Sequence, residues 1–156
     1  MRLGMRAIIV AFGIAVAGQA LAGDISPQAN REYLAANAAK TGVIVRPSGL
    51  QYRIIKSGSG QTPGPADTVT VAYKGALVDG YVFDQTKPGE TRDLPASKVI
   101  PGWMEALSLM KEGDEWELVV PSELGYGAAS VGNGAIPPNQ TLVFDMQLVA
   151  VIHPHP

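Results

Sequence analysis

Side chains that carry covalent chemistry are scarce in this 156-residue chain. It has no cysteine, and its two histidines, His153 and His155, stand in a terminal His-Pro-His-Pro. The lack of cysteine excludes a thiol nucleophile, a disulfide and a thiolate zinc site together. A Ser-His-Asp triad or a histidine-built metal centre needs a histidine held inside the fold, and a disordered tail, the expected state of this terminus, does not supply one. Gly58 and Gly60 lie in a glycine-rich run, but no Lys-Ser or Lys-Thr follows them, so the run is a poor phosphate-binding loop. Most hydrolase and metalloenzyme readings fall on the cysteine and histidine counts, and the aromatic and carboxylic groups remain to be placed. Tyr73, Phe83, Trp103 and Phe144 fall on strand or helix faces, where aromatics serve as core or as the walls of a recess. Asp84 has the position of a turn-forming aspartate after a strand, and Asp93 and Asp145 read as solvated or structural.

The elements that must position these groups follow from periodicity. Ser26-Pro27 has the form of a helix N-cap with proline at the first helical position, and the stretch to Lys40 is rich in helix formers and stops before Gly42. A helix is expected over about 27–41, with an apolar side made mostly of alanine that packs weakly. The period then changes to two. Leu50, Tyr52 and Ile54 alternate with polar residues, and Val69, Val71, Tyr73 and Leu77 share one face of a second run. Residues 57–65 between them are a loop by composition, and Asp79-Gly80 between Leu77 and Val82 is a hairpin signal. Residues 86–96 suggest an irregular connection around a short strand. Trp103, Ala106, Leu107 and Met110 fall on one helical face, which Lys111-Glu112-Gly113 ends. Trp116, Leu118 and Val120 alternate again, as do Leu142, Phe144, Met146 and Leu148. Between these two runs lies a long Gly/Pro-rich loop, residues 121–138, of the kind that is functional or disordered. Several antiparallel strands and one central helix make an α+β domain.

Residues 1–22 have the form of a secretory signal: Arg2 and Arg6, an apolar stretch from Ala7 to Ala17, and Ala20-Leu21-Ala22 before Gly23. The apolar stretch is short for a membrane span. The expected mature chain begins at Gly23, free of the membrane and periplasmic or secreted. The whole chain carries a formal charge of −2, and without Arg2 and Arg6 it holds 10 basic against 14 acidic side chains, a net −4. A mildly acidic chain with no basic run has no electrostatic reason to bind nucleic acid.

A series of motifs then occurs in order. Val69-Thr-Val-Ala-Tyr-Lys-Gly-Ala-Leu77 with Asp79-Gly80 and Val82-Phe-Asp84 resembles the opening of the FKBP-type peptidyl-prolyl isomerases. Val99-Ile-Pro-Gly-Trp103 with Glu105-Ala-Leu107 is similar to that family's helix. Trp116-Glu-Leu-Val-Val-Pro121, Leu124-Gly-Tyr-Gly127, Ile136-Pro-Pro138 and Thr141-Leu-Val-Phe-Asp145 continue the likeness, and Gly49-Leu-Gln-Tyr52 resembles exported bacterial members, the macrophage infectivity potentiator group among them. The resemblance divides the chain into a signal at 1–22, a helical segment at 23–48, an isomerase domain at 49–151 and a tail at 152–156.

The resemblance implies a half-wrapped antiparallel sheet of five to six strands around one central helix, preceded by the short N-terminal helix. It implies an apolar pocket between helix and sheet. Tyr73, Asp84 and Tyr126 take the catalytic positions, and Phe83, Leu94, Val99, Ile100, Trp103, Ile136 and Phe144 the substrate-binding ones. Trp103 forms the floor, Phe83, Tyr126 and Phe144 the walls, and the backbone around Ile100 holds the peptide carbonyl. Leu94 departs from the pattern, because relatives commonly place a phenylalanine there at the pocket rim. The implied activity is X–Pro cis–trans isomerisation on unfolded or partly folded exported polypeptides, with no cofactor or metal and with macrolide inhibitors as a second ligand class. The alternative is a periplasmic chaperone or peptide-binding module that uses the same pocket with little turnover. Strongly dimerising relatives carry a long N-terminal helix, whereas 23–48 is short, so a monomer is expected.

Overall fold

Ser26 and Pro27 open the first helix as their types require. The Ser26 hydroxyl accepts from the Ala29 N–H at 3.1 Å, and α1 runs Pro27–Ala38. This computed structural model describes residues 23–156, and the signal expected over 1–22 lies outside the described residues. The helix ends three residues before the expected boundary. The Ala39 and Lys40 N–H groups bond back only three residues, to Ala36 and Asn37, and Gly42 then takes a φ of 86° that turns the chain.

Seven antiparallel strands follow: β1 Ile44–Val45, β2 Gln51–Lys56, β3 Thr68–Ala76, β4 Val82–Gln85, β5 Arg92–Pro95, β6 Glu115–Val120 and β7 Leu142–Ile152. They form one sheet in the order β1-β2-β6-β7-β3-β4. β7 pairs along one edge of β3, while β5 takes Thr68–Val71 and β4 takes Lys74–Ala76 on the other. The strand beyond the five to six expected is the two-residue β1, too short to show a period. The second helix, α2, spans Pro101–Leu107 between β5 and β6.

The period-two runs place the core. Val69, Val71, Leu118, Val120, Leu142, Met146 and Leu148 are fully buried, as are Ala106 and Met110 on the helix side. Ile54 departs from its expected face and is 44% exposed. β1 reaches only Gln51 and Tyr52, so at Ile54 the strand is paired on its β6 edge alone, and the β2–β6 register shifts just beyond it. The 121–138 loop is ordered by a 3₁₀ turn at Ser122–Leu124 and by reciprocal backbone bonds of 3.1 Å between Val131 and Ile136.

α1 docks through amides rather than through alanine. Its buried residues are Asn30 and Asn37. Asn30 Nδ2 donates to Gln140 Oε1 at 3.2 Å and its Oδ1 accepts from the Thr141 N–H at 2.7 Å. Asn37 Nδ2 donates to Gln51 Oε1 at 2.8 Å, and Gln51 Nε2 donates back to the Leu34 carbonyl at 3.1 Å. Weak apolar packing was the expectation, and buried hydrogen bonds replace it.

One further expectation is corrected. His153 is held rather than disordered: its Nδ1 lies 2.9 Å from Asp67 Oδ1 and its Nε2 is hydrogen-bonded to Gln61. Asp145 takes the structural of its two expected places and is half-buried. It lies in a cross-strand row of Arg53, Glu117, Asp145 and Lys74, and its Oδ2 is buried without a hydrogen-bond partner among the described residues. Burial first, then the Glu117 charge, pushes its carboxyl up to about 7. Asp93, by contrast, is exposed and accepts from the Thr70 hydroxyl at 2.7 Å.

Candidate active site: an aromatic recess between helix and sheet

Three strands and the helix bring four rings together. Tyr73 of β3, Phe83 of β4, Trp103 of α2 and Phe144 of β7 form a chain of edge-to-face contacts. Tyr73 meets Trp103 at 5.0 Å, Trp103 meets Phe144 at 5.2 Å, and Phe83 meets Phe144 at 5.8 Å between centroids. Each interplanar angle lies between 78° and 87°, the arrangement in which ring edges face the negative ring faces. Gly75 permits this closeness, because a Cβ there would stand 2.6 Å from Phe144 Cε1 and 2.8 Å from Phe83 Cζ. Gly102 does the same for the helix, since its Cβ would meet Val120 Cγ1 at 2.6 Å.

The rings enclose a cavity of about 390 Å³. Tyr73, Phe83, Asp84, Leu94, Val99, Ile100, Trp103, Tyr126 and Phe144 all line it, together with Lys98. Trp103 is 4% exposed and lies at the bottom, whereas Tyr126 is 40% exposed and stands at the mouth. Ile136 does not line the recess. It is 5% exposed, joins the core, and holds the 121–138 loop through its bridge to Val131. A second recess of about 350 Å³ lies beneath the 85–90 connection, but Tyr73 is the only aromatic in its lining.

Polar groups converge on one side of the aromatic recess. The Tyr73 hydroxyl donates to Asp84 Oδ2, and Arg92 Nη1 donates to both, at 3.2 Å to the carboxylate oxygen. The Arg92 guanidinium also lies 5.3 Å from the Tyr73 ring centroid. Burial, and then the bond to Asp84, holds the Tyr73 phenol above its ordinary range. Burial and the Asp84 charge raise Tyr126 as well. Both phenols therefore keep their protons at neutral pH. Ile100 is the N-cap of α2: its carbonyl accepts from the Trp103 and Met104 N–H groups at 2.9 and 3.1 Å. Its own N–H makes no backbone bond among the described residues.

Sequence reasoning missed Arg92, Gly75 and Lys98. Arg92 and Lys98 lie in or beside a connection with no usable period, and the need for Gly75 shows only once two rings from separate strands converge on it. Among the described residues no group of three or more His, Asp or Glu side chains is placed to hold a metal ion. The arrangement can grip an apolar ring and offer hydrogen-bond donors to a carbonyl, which is chemistry without a covalent step.

Comparison with known proteins agrees with this geometry. A family model described as "FKBP-type peptidyl-prolyl cis-trans isomerase" matches residues 59–149, and one described as "Domain amino terminal to FKBP-type peptidyl-prolyl isomerase" matches residues 6–54. The chain is 54% identical over 120 residues to the outer membrane protein MIP of Legionella longbeachae, covering 76% of this chain and 51% of that protein. It is 48% identical over 122 residues to the FKBP-type 22 kDa peptidyl-prolyl cis-trans isomerase of Escherichia coli, covering 78% and 59%. Among solved structures, a peptidyl-prolyl cis-trans isomerase from Pseudomonas syringae superposes with a TM-score of 0.75 at 35% identity, covering 84% of this chain and all of that one. FkpA from Escherichia coli superposes with a TM-score of 0.75 at 43% identity, covering 80% and 58%. The chain thus spans about half the length of the curated relatives it matches.

Proposed function

Because this chain belongs to the FKBP-type peptidyl-prolyl cis-trans isomerase family, we propose that its aromatic recess accelerates rotation about X–Pro bonds. The observation that carries this reading is the cavity itself, floored by Trp103 and walled by Phe83, Tyr126 and Phe144. The amide is held planar by a resonance barrier of about 18–20 kcal/mol, and unaided it turns over in roughly 10–100 s. No bond to proline is made or broken, so the lack of cysteine and of a core histidine is no obstacle. The aromatic walls grip the prolyl ring. The apolar setting removes water from the carbonyl and so disfavours the planar amide, whose charge separation is greater than that of the twisted form. The Tyr126 hydroxyl and the free Ile100 N–H stand as donors for peptide carbonyls on either side of the ring. Asp84, Tyr73 and Arg92 lock one wall in place, so little reorganises as the amide twists. An acceleration of roughly 10⁵ requires about 7 kcal/mol, which packing, desolvation and two hydrogen bonds supply jointly.

In this reading the substrates are proline-containing, unfolded or partly folded polypeptides, and the leader at 1–22 directs the protein to the periplasm or beyond. Among the described residues no helix is long and apolar enough to cross a membrane. A protease-coupled assay on a proline tetrapeptide tests the activity, and catalysed isomerisation that a pocket-directed macrolide abolishes is the expected result. Peptide binding without turnover would reassign the recess to a binding module.

A further inference from the structure

Two charged side chains line the aromatic recess, Asp84 and Lys98. They are not equivalent. Asp84 is already matched within the protein, since Tyr73 donates to its Oδ2 and Arg92 Nη1 lies 3.2 Å from the same oxygen. Lys98 is exposed and forms no ion pair among the described residues. With Asp84 offset by Arg92, the mouth of the recess keeps one unbalanced positive charge. Its place matters as much as its sign. Lys98 directly precedes Val99 and Ile100, which both line the recess, and the Ile100 N–H makes no backbone bond among the described residues. A peptide with its prolyl ring on Trp103 and a carbonyl at Ile100 passes the Lys98 ammonium with the residues that flank proline.

We propose that Lys98 sets the substrate preference of the recess, selecting proline segments with a carboxylate beside the proline over segments with a cation there. The inference rests on the isomerase reading and names the substrate class of the same site. Lysine suits this role because its ammonium is a compact charge on a flexible stem, which follows a carboxylate at either flanking position without demanding one geometry. An exposed pair of this kind is worth about two- to fivefold in kcat/KM. The preference is electrostatic, so it fades at 1 M salt, where screening acts over about 3 Å.

The test uses proline peptides that differ only in Glu, Gln or Lys, in one set before proline and in a second set after it. Turnover is read by exchange NMR and binding by tryptophan fluorescence, at 20 mM and 1 M salt, which on the screening scale above are weak and nearly complete shielding (on the order of 20 and 3 Å). In at least one set the expected order is Glu above Gln above Lys at low salt, collapsing at high salt. Lys98→Gln should flatten the order and Lys98→Glu should reverse it, a reversal that a merely structural residue does not produce. Catalysis with no order in either set, or an order that Lys98→Glu leaves unchanged, overturns the proposal and leaves the isomerase reading standing. Binding that keeps the order with no turnover on any peptide overturns the isomerase reading and leaves the Lys98 assignment standing.

Discussion

Trp103 and Trp116 are both buried, at 4% and 3% exposure, yet they stand in different surroundings. Trp103 shares edge contacts with Tyr73 and Phe144 beneath the recess, whereas Trp116 stacks flat on Tyr52 at 4.2 Å and 8° on the far side of the sheet order. Trp116→Ala is expected to cost about 3–5 kcal/mol of stability while the folded fraction stays active, and Trp103→Ala to remove most turnover. Denaturant titration and a peptide assay on both variants check this, and an inactive but fully stable Trp116→Ala would contradict it. Leu94 sits on β5 opposite Val69, half-buried in the recess lining. A ring at this rim gains an edge contact worth about 0.5–1.5 kcal/mol. Leu94→Phe should therefore tighten a proline peptide or macrolide roughly two- to tenfold by calorimetry; unchanged affinity would mean that the new ring does not reach the ligand.

At the scale of elements, the attachment of α1 is open to test. Asn30, Gln140 and Thr141 are 6%, 8% and 2% exposed, so deleting the Asn30 amide strands a buried acceptor and a buried N–H. Asn30→Ala is expected to cost about 1–3 kcal/mol, and hydrogen exchange should rise throughout α1 before it rises in β7. Uniform exchange across both elements would show instead that α1 unfolds only with the sheet. The charged row across β2, β6, β7 and β3 makes a separate prediction. Asp145 faces Glu117, Glu115, Lys74 and Arg53, and Tyr33 of α1 is pushed up to about 12 by burial first and then by the Glu117 and Asp145 charges. Unfolded, Asp145 titrates near 3.8, and folded, near 7. Below the lower value both states hold the proton. Between the two values the unfolded chain ionises first, so stability falls as pH rises and levels off above about 7. Asp145→Asn keeps the shape without the ionisation. Its melting temperature should match the parent near pH 4 and exceed it by a few degrees at pH 8, and equal melting at both pH values would refute the account.

For the whole molecule, the outward side of α1 bears on association. Its exposed residues are Pro27, Gln28, Arg31, Glu32, Ala35, Ala36 and Ala38, a small and polar set. Such a set offers little of the apolar centre around which a standard interface of roughly 800 Å² per partner is built. Sedimentation velocity at micromolar concentration is expected to show a monomer, and a stable dimer would contradict this.

Period-two alternation in β3, β6 and β7 and the i, i+3, i+4 face of Trp103, Ala106 and Leu107 were legible because burial on one side of a strand or helix must repeat with its geometry. The expected helix end at Lys111-Glu112-Gly113 is corrected: α2 stops at Leu107 with Ser108 as its C-cap, and Met110 is buried in the turn beyond it. Most of the recess lining was legible only through motif order, since the aromatics by themselves read more readily as plain core. The docking of α1 was not, because Asn30 and Asn37 hold the helix by directional bonds to partners 111 and 14 residues away, which leave no apolar period. Nor was His153, whose partners Asp67 and Gln61 belong to a distant loop. The sequence by itself determined which faces are apolar and that no thiol or core histidine exists, since composition and periodicity are local properties. Only the tertiary structure decided that Arg92 reaches Tyr73 and Asp84, that Gly75 must lack a side chain, that Ile136 stays in the core and that Lys98 stands at the mouth without an ion pair among the described residues. Each of these depends on the distance between atoms carried by separate strands and loops, which the sheet register sets for Arg92 and Gly75 and the loop conformation sets for Ile136 and Lys98.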